Sequence, residues 1–463
     1  MLIKFKIIVL KMSKKLSMIR IFELALLIGL ILGLQSCNKN KIDTPASTEE
    51  LPHFHEKHFL KNDTDTIDKD KLALYVDYST CMMLGQSSEF FKKLLPSIQD
   101  NTRSYFSIEG TAINEHNVDS TYNLLRTIHD VNFADLKGAI DKMAEGKTES
   151  LLITDGEFFQ ENATKDNLCH AYMAPAFKKW LTQGHDIYFI IEPYIETYKG
   201  KQFNKKRFYI IFTDDRLSET FWDKIKSELG KFPAVDTFHL AVEHPNISFP
   251  KGEKTANKNL NASVDQKKGN KGNYEIQDWS IDWKTITQCI IEAVDEKTGK
   301  ELPNGLPIIS GIKIDRESLG AFKIEKIAAK VYNINAAYEK YKKDNKAKLK
   351  QEDTVELKDF ICLDTSAFAK NGEVKLYFDK KNCNSAVLDG KTNNYIKIDI
   401  YVESITDVFD KYEDKFKFQS ITSPDEDNVS ISESIKQCLK DREIKSKITD
   451  SPIYTIYIKS LKK

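Results

Sequence analysis

The chain has 463 residues, 41% hydrophobic and 30% charged, with 69 basic side chains balanced by 69 acidic ones. A formal charge of zero speaks against a nucleic-acid binder, which carries a basic surplus or stripe, and 11% aromatic residues exclude a disordered acidic chain. The length suits two or three domains, each with its own core.

The first 36 residues carry six basic side chains and one acid, then the apolar run from Leu24 to Leu34. That run is short for a permanent span, which needs about 20 apolar residues, and reads as a secretory signal peptide. It ends in Leu34-Gln35-Ser36-Cys37, which resembles the lipobox of bacterial lipoproteins. The resemblance implies cleavage before Cys37, acyl chains on that residue and a membrane anchor. Asn38 follows where an Asp would signal inner-membrane retention in some bacteria, so an outer-membrane address is expected. Without its leader the chain carries 63 basic and 68 acidic groups, a net charge of minus five. Residues 37–70 show no sustained hydrophobic period and read as a flexible tether. Within them His53, His55 and His58 form a histidine-rich tract, HFHEKH, whose spacing is not that of a zinc-protease helix.

From residue 71 to about 250, strand and helix patterns alternate. LALYVDYS, SYFSIEGTA, SLLITDG, DIYFIIEPY and RFYIIFTDD read as strands; SSEFFKKLLPSIQ, NFADLKGAIDKMAEG, APAFKKWLTQG and LSETFWDKIKSELG read as helices, the last with Ser218 as N-cap and Gly230 past its end. This predicts an α/β domain with an open, mostly parallel sheet and helices on both faces, where ligands bind beyond the carboxyl ends of the strands. Asp77, Asp155, Glu192, Asp214 and Asp215 fall at predicted strand ends, and gathered carboxylates would suit Mg²⁺ or another divalent cation. An Asp at such a place is also a common helix cap or turn residue, as expected of Asp214 and Asp215, and Glu192 before a proline is expected to face solvent.

Asp77-Tyr78-Ser79-Thr80-Cys81-Met82 directly after the first strand, and Thr154-Asp155-Gly156 after a later apolar one, resemble the metal-ion-dependent adhesion site of the von Willebrand factor A family. The resemblance implies a Rossmann-like sheet over residues 71–250 and metal ligands at Asp77, Ser79 and Asp155. Two positions depart from it. Cys81 stands where the family has a hydroxyl, and Ala134 where it has an intermediate Thr, leaving Asn132 or Asp135 to compensate.

Residues 251–274 are rich in Lys, Asn and Gly and read as a linker. Residues 275–463 alternate with period two at Trp279-Ile281-Trp283, Val374-Leu376-Phe378 and Ile396-Ile398-Ile400-Val402, with Asn371-Gly372 as a turn between strands. A mainly β, sandwich-like second domain is expected, with NAAYEKYKKDNKAKLK and SESIKQCLKDREIKS as helical insertions on its edges. Six cysteines besides Cys37 allow 15 pairings, with Cys362 and Cys383 on adjacent predicted strands and free thiols as the default.

No nucleophile elbow, phosphate loop or zinc-protease helix occurs, which favours binding over catalysis. The expectation is a lipid-anchored protein that binds a protein or surface ligand through its von Willebrand A-like domain with a divalent cation. Two alternatives stand beside it. One is a metal-dependent phosphoester hydrolase built on Asp77, Asp155 and Asp214 or Asp215, with Ser79 or Thr80 as nucleophile; the other is a structural subunit of an envelope assembly.

Overall fold

The computed structural model describes residues 50–59, 67–79, 88–127, 129, 131–157, 170–251, 254–269, 272–281, 298–302, 304–379, 383, 393–419 and 427–462. The leader, Cys37, Thr80 and Cys81 lie outside the described residues. The first described element is helix α1 (Glu50–His58), inside the expected tether. Leu51, Phe54 and His55 are buried at i, i+3, i+4 spacing, the stripe by which a short helix hides one face, and the histidine tract rides on it.

Strand β1 (Asp68–Asp77) opens an alternating series: α2 (Glu89–Asn101), β2 (Thr102–Glu109), β3 (Ala112–His116), α3 (Thr121–Arg126), α4 (Leu136–Glu145), β4 (Thr148–Thr154), α5 (Ala174–Leu181), β5 (Asp186–Tyr198), β6 (Lys201–Thr213), α6 (Phe221–Leu229) and β7 (Asp236–Leu240). The seven strands form one sheet in the order β3-β2-β1-β4-β6-β5-β7. Only β1 is parallel to its two neighbours, β2 and β4; β3, β6, β5 and β7 join antiparallel. The sheet is therefore mixed around a parallel centre, not mostly parallel. The cause is local. Lys199 and Gly200, at φ 49° and 77°, make a two-residue turn between Tyr198 and Lys201, and a parallel crossover would need a dozen residues or more.

Helices cover both faces, as expected. Phe90, Phe91, Leu94 and Ile98 of α2, with Phe221 and Ile225 of α6, pack on Leu74, Val76, Ile153 and Ile211. On the other face Leu136 and Ile140 of α4, with Phe177 and Trp180 of α5, share a core with Tyr75, Leu152, Phe208 and Phe212.

That second core does not stop at residue 250. The later half supplies β8 (Ile247–Ser248), β9 (Ser263–Gly269), β10 (Gly272–Ile281), β11 (Ile309–Ile314), β12 (Phe322–Asn333), α7 (Asn335–Lys343), β13 (Val355–Glu356), β14 (Ile361–Leu363), α8 (Thr365–Asn371), β15 (Glu373–Phe378), β16 (Asn393–Asp407), β17 (Phe418–Gln419), β18 (Asp427–Asn428), α9 (Ser430–Lys440), α10 (Arg442–Thr449) and β19 (Pro452–Lys462). The expected linker thus holds β9, which pairs antiparallel with the start of β10. Two further sheets, β13-β12-β16-β19-β10-β9 and β14-β15-β11-β8, are antiparallel except at the β10–β19 pair. They share a core in which Trp279 on β10 meets Phe378 on β15 edge to face at 6.2 Å.

Three local expectations change. Asn371-Gly372 ends helix α8, with Gly372 as a left-handed C-cap at φ 72°, and only glycine fits because a Cβ there would lie 2.2 Å from the Ile314 carbonyl oxygen. The SESIKQCLKDREIKS segment is no edge insertion: Ile431, Ile435 and Leu439 of α9 are buried in the core shared with α5. Ser434 Oγ also accepts from Met173 N at 3.2 Å, and Lys178 pairs with Asp441 at 2.8 Å. Cys362, Cys383 and Cys438 are free thiols.

Phe416 lies against Phe189, Phe238 and Phe409 at 5.4 to 5.6 Å between centroids, which joins the two halves through one aromatic cluster. A fragment of residues 67–250 would lose Phe409 and Phe416 and expose Phe189 and Phe238, each worth about 1.5–3 kcal/mol of burial. It is expected to lack a cooperative thermal transition by circular dichroism, where the full chain has one.

Candidate functional site

The carboxyl ends of β1 and β4 are neighbours, because Val76 pairs with Ile153 in parallel register. Asp77 is the last residue of β1 and is buried. Its Oδ1 accepts from Ser79 N at 2.8 Å and its Oδ2 from the Thr154 hydroxyl at 2.7 Å. Asp155, also buried, accepts from Glu157 N at 3.0 Å through Oδ1. Asp77 thus lies beside both Ser79, through that hydrogen bond, and Asp155, whose charge acts on it. Asp135 caps helix α4 by accepting from Lys137 N at 3.0 Å, and Asn132 is exposed.

Two residues that sequence reasoning missed complete this end. Lys205 of β6 has a fully buried side chain, with Nζ 3.5 Å from Asp155 Oδ2 and in contact with Glu157. Its ammonium also stands 5.0 Å over the Phe418 ring. Tyr172 is buried, and Asp77, Asp135 and Asp155 add to that burial in raising its phenol pKa. Lys205 lies just before the predicted strand RFYIIFTDD, in the polar stretch Asn204-Lys205-Lys206, and no local motif signals a lysine aimed at a carboxylate 50 positions earlier.

Burial, then the Asp155 charge, pushes Asp77 up to about 7. Burial likewise lifts Glu196 to about 7 against the pull of Lys205. Burial thus favours the neutral forms of Asp77 and Glu196, while the Lys205 ammonium serves Asp155 and Glu157. A divalent ion about 4 Å from that ammonium would meet a repulsion of about 8 kcal/mol at an effective dielectric of 20, twice the unit-charge value. The described residues at Asp77, Ser79 and Asp155 do not fit Mg²⁺ while Lys205 occupies that place.

Glu192 does not face solvent. It is buried, accepts from the Tyr209 hydroxyl at 2.8 Å and lies 3.8 Å from Arg207. Beneath Arg207, a cavity of about 20 Å³ is lined by Asp77, Ser79, Phe91, Leu124 and His129, room for one water. Past the end of β4 the β5–β6 hairpin continues, and with β17 it walls a groove of about 500 Å³. Its lining includes Pro193, Tyr194, Ile195, Lys206, Lys417 and Phe418. Ile195 is 61% exposed.

Asp214 and Asp215 are elsewhere. Because β6 runs antiparallel to β4, its carboxyl end lies at the amino end of β4, where the Thr213 hydroxyl donates to Glu149 at 2.6 Å. Five residues of strand, roughly 17 Å, separate Glu149 from Thr154. The set Asp77, Asp155, Asp214 and Asp215 does not converge, so the carboxylate cluster expected of the hydrolase alternative is not assembled. Nor do Asp214 and Asp215 cap α6, whose N-cap is Thr220 rather than Ser218, in a capping box with Asp223. Asp214 instead takes a two-pronged grip from Arg216 at 2.7 and 2.6 Å, and His185 Nδ1 lies 3.1 Å away. Burial alone would raise its pKa; His185 and Arg216 outweigh it and hold the carboxyl well below the usual range.

Beside it Asp186, Asp215 and His239 place one ligand atom each within 4.8 Å of one another, an arrangement able to hold a metal ion. No family model, no curated protein and no solved structure matches this chain. Among the described residues no helix is long and apolar enough to cross a membrane.

The raised Asp77 pKa has a linked effect on folding. Between about pH 4 and 7 the folded chain holds a proton that the unfolded chain has released, so this group's contribution to stability is present at low pH and lost as pH rises through 7. Asp77→Asn mimics the protonated form. It is expected to raise unfolding free energy at pH 8 by an amount on the order of 2–4 kcal/mol and to change it little at pH 4, measured by denaturant titration.

Proposed function

We propose that this protein is an envelope lipoprotein, anchored in the outer membrane by lipid on Cys37, that binds a partner protein at the carboxyl ends of a von Willebrand A-like sheet. The run β2-β1-β4, in which β1 lies parallel between its two neighbours, supports the fold assignment, being the order at the centre of a doubly wound sheet, while β3 and β6 flank it antiparallel. The placement of Asp77 and Asp155 at adjacent parallel strand ends supports it further. Lys205 replaces the divalent cation of the family, so recognition at this end proceeds without a metal.

The observation that carries the reading is the groove beyond those strand ends. Its volume is that of a ligand site, and its lining mixes the apolar Pro193, Tyr194, Ile195 and Phe418 with Lys206, Lys417 and one acid, Asp427, while Lys205 behind them is committed to Asp155 and Glu157. That combination suits a peptide segment presenting an apolar side chain with acidic neighbours. Lys206 donates to the Asp414 and Lys415 carbonyls at 2.8 Å, and Lys417 pairs with Asp414 at 3.0 Å and Glu413 at 3.2 Å, so both amines are held in place at the groove wall.

A photo-reactive residue in place of Ile195, in cells expressing the full chain, is expected to capture a partner protein, and one in place of the exposed Val355 is not. The adduct should survive EDTA and be lost when Cys37→Ser releases the chain from the membrane. No adduct at 195, or one abolished by EDTA, would overturn the reading.

A further inference from the structure

We infer that Asp186, Asp215 and His239 form a binding site for one transition-metal dication of the Zn²⁺ class, at the sheet end opposite the groove. Three elements of the mixed sheet build it. Asp186 is the first residue of β5, Asp215 follows β6 by two residues, and His239 is on β7, paired directly with Tyr188. His239 Nε2 lies 2.9 Å from Asp186 Oδ1 and 3.7 Å from Asp215 Oδ2. A tetrahedron with metal–ligand bonds of 2.0–2.1 Å has edges of about 3.3 Å, and these two separations bracket it.

The surroundings hold each ligand in place. Asp186 Oδ2 accepts from Asp215 N at 2.9 Å, and Asp215 Oδ2 accepts from the Tyr188 hydroxyl at 2.5 Å. The Tyr188 ring stacks on the imidazole at 4.2 Å and 5°, with Trp222 stacked on its other face at 3.8 Å. Independently of these, the Ser318 backbone hydrogen-bonds the imidazole. Metal-binding histidines take this form of support, a backbone carbonyl on one ring nitrogen that fixes the other toward the ion. The turn bearing Ser318 is pressed onto β7, for a Cβ on Gly320 would meet the His239 carbonyl oxygen at 1.7 Å.

The chemistry selects the ion. Two carboxylates cancel the charge of a dication, and an imidazole suits Zn²⁺ and its transition-metal neighbours better than Ca²⁺, which takes six to eight oxygens. Asp215 is exposed and His239 only partly buried, which leaves a coordination position open to water.

The test uses the full chain in detergent, stripped with EDTA, and Zn²⁺ alone as probe. One equivalent is expected to bind by calorimetry and raise the melting temperature, with Co²⁺ giving the visible bands of a four-coordinate site. Asp215→Asn and His239→Gln should each weaken that equivalent by about 100-fold and remove the melting shift, while both variants keep the metal-free melting temperature within a few degrees. Undiminished binding in both variants would overturn the site, as would no binding at all. So would Zn²⁺ lost only on joint substitution His53→Ala, His55→Ala and His58→Ala, which would place it on α1.

Discussion

The Lys199–Gly200 turn sets the direction of β6 against β5. By folding β5 and β6 into a hairpin buried at its base and exposed at its tip, it inserts an antiparallel pair beside the parallel centre. The carboxyl end of β6 then falls at the amino end of β4, and the hairpin tip projects past the carboxyl ends of β1 and β4. From this reversal follow two polar sites, one at each end of the sheet. Lys205 reaches Asp155 at one end because β6 approaches that end early in its course, and Asp215 meets Asp186 and His239 at the other because β6 leaves there. A parallel β6 would have gathered all the strand-end carboxylates on one rim.

The two ends solve the problem of buried acids differently. Asp214 is matched by a bidentate guanidinium and stays ionised far below the ordinary range. Asp77 and Glu196 are not so matched; one ammonium serves Asp155 and Glu157, and the remaining carboxyls hold protons near neutrality. Removing the ammonium would leave uncompensated buried charge, which costs more than a complete pair contributes. Lys205 is therefore best understood as the counter-charge that permits this end to close, and a site closed in that manner presents its neighbouring groove, not its carboxylates, to a partner.

Much of the front sheet was legible. The strands at LALYVDYS, SLLITDG, DIYFIIEPY and RFYIIFTDD and the helices between the first three lie where period and capping put them, and Asp77 does lie beside Ser79 and Asp155. Strand direction was misjudged because strands buried on both faces look alike whether parallel or antiparallel. The decisive signal was present: no helical pattern separates DIYFIIEPY from RFYIIFTDD, and Lys199-Gly200 is a turn pair. The low hydrophobicity of residues 251–274 concealed β9, an edge strand whose pairing with β10 owes little to side chains. Contacts such as Lys205 with Asp155, or Ser318 with His239, join positions 50 and 79 apart, and no local period encodes them.

The shared core also decides where binding can be built. The expected boundary at residues 251–274 would make the front sheet a free module, yet one face of it is finished by Phe416, Ile431 and Ile435 from beyond that boundary. The groove has the same dual origin, since one wall is the β5–β6 hairpin and the other is Lys417, Phe418 and Gln419. Asn204 N donates to Gln419 Oε1 at 2.8 Å across the seam, and Lys206 reaches the Asp414 and Lys415 carbonyls. A ligand seated there touches both halves at once. Its affinity is thereby coupled to their packing, because any loosening of the Phe416 cluster separates the walls that the ligand needs held together.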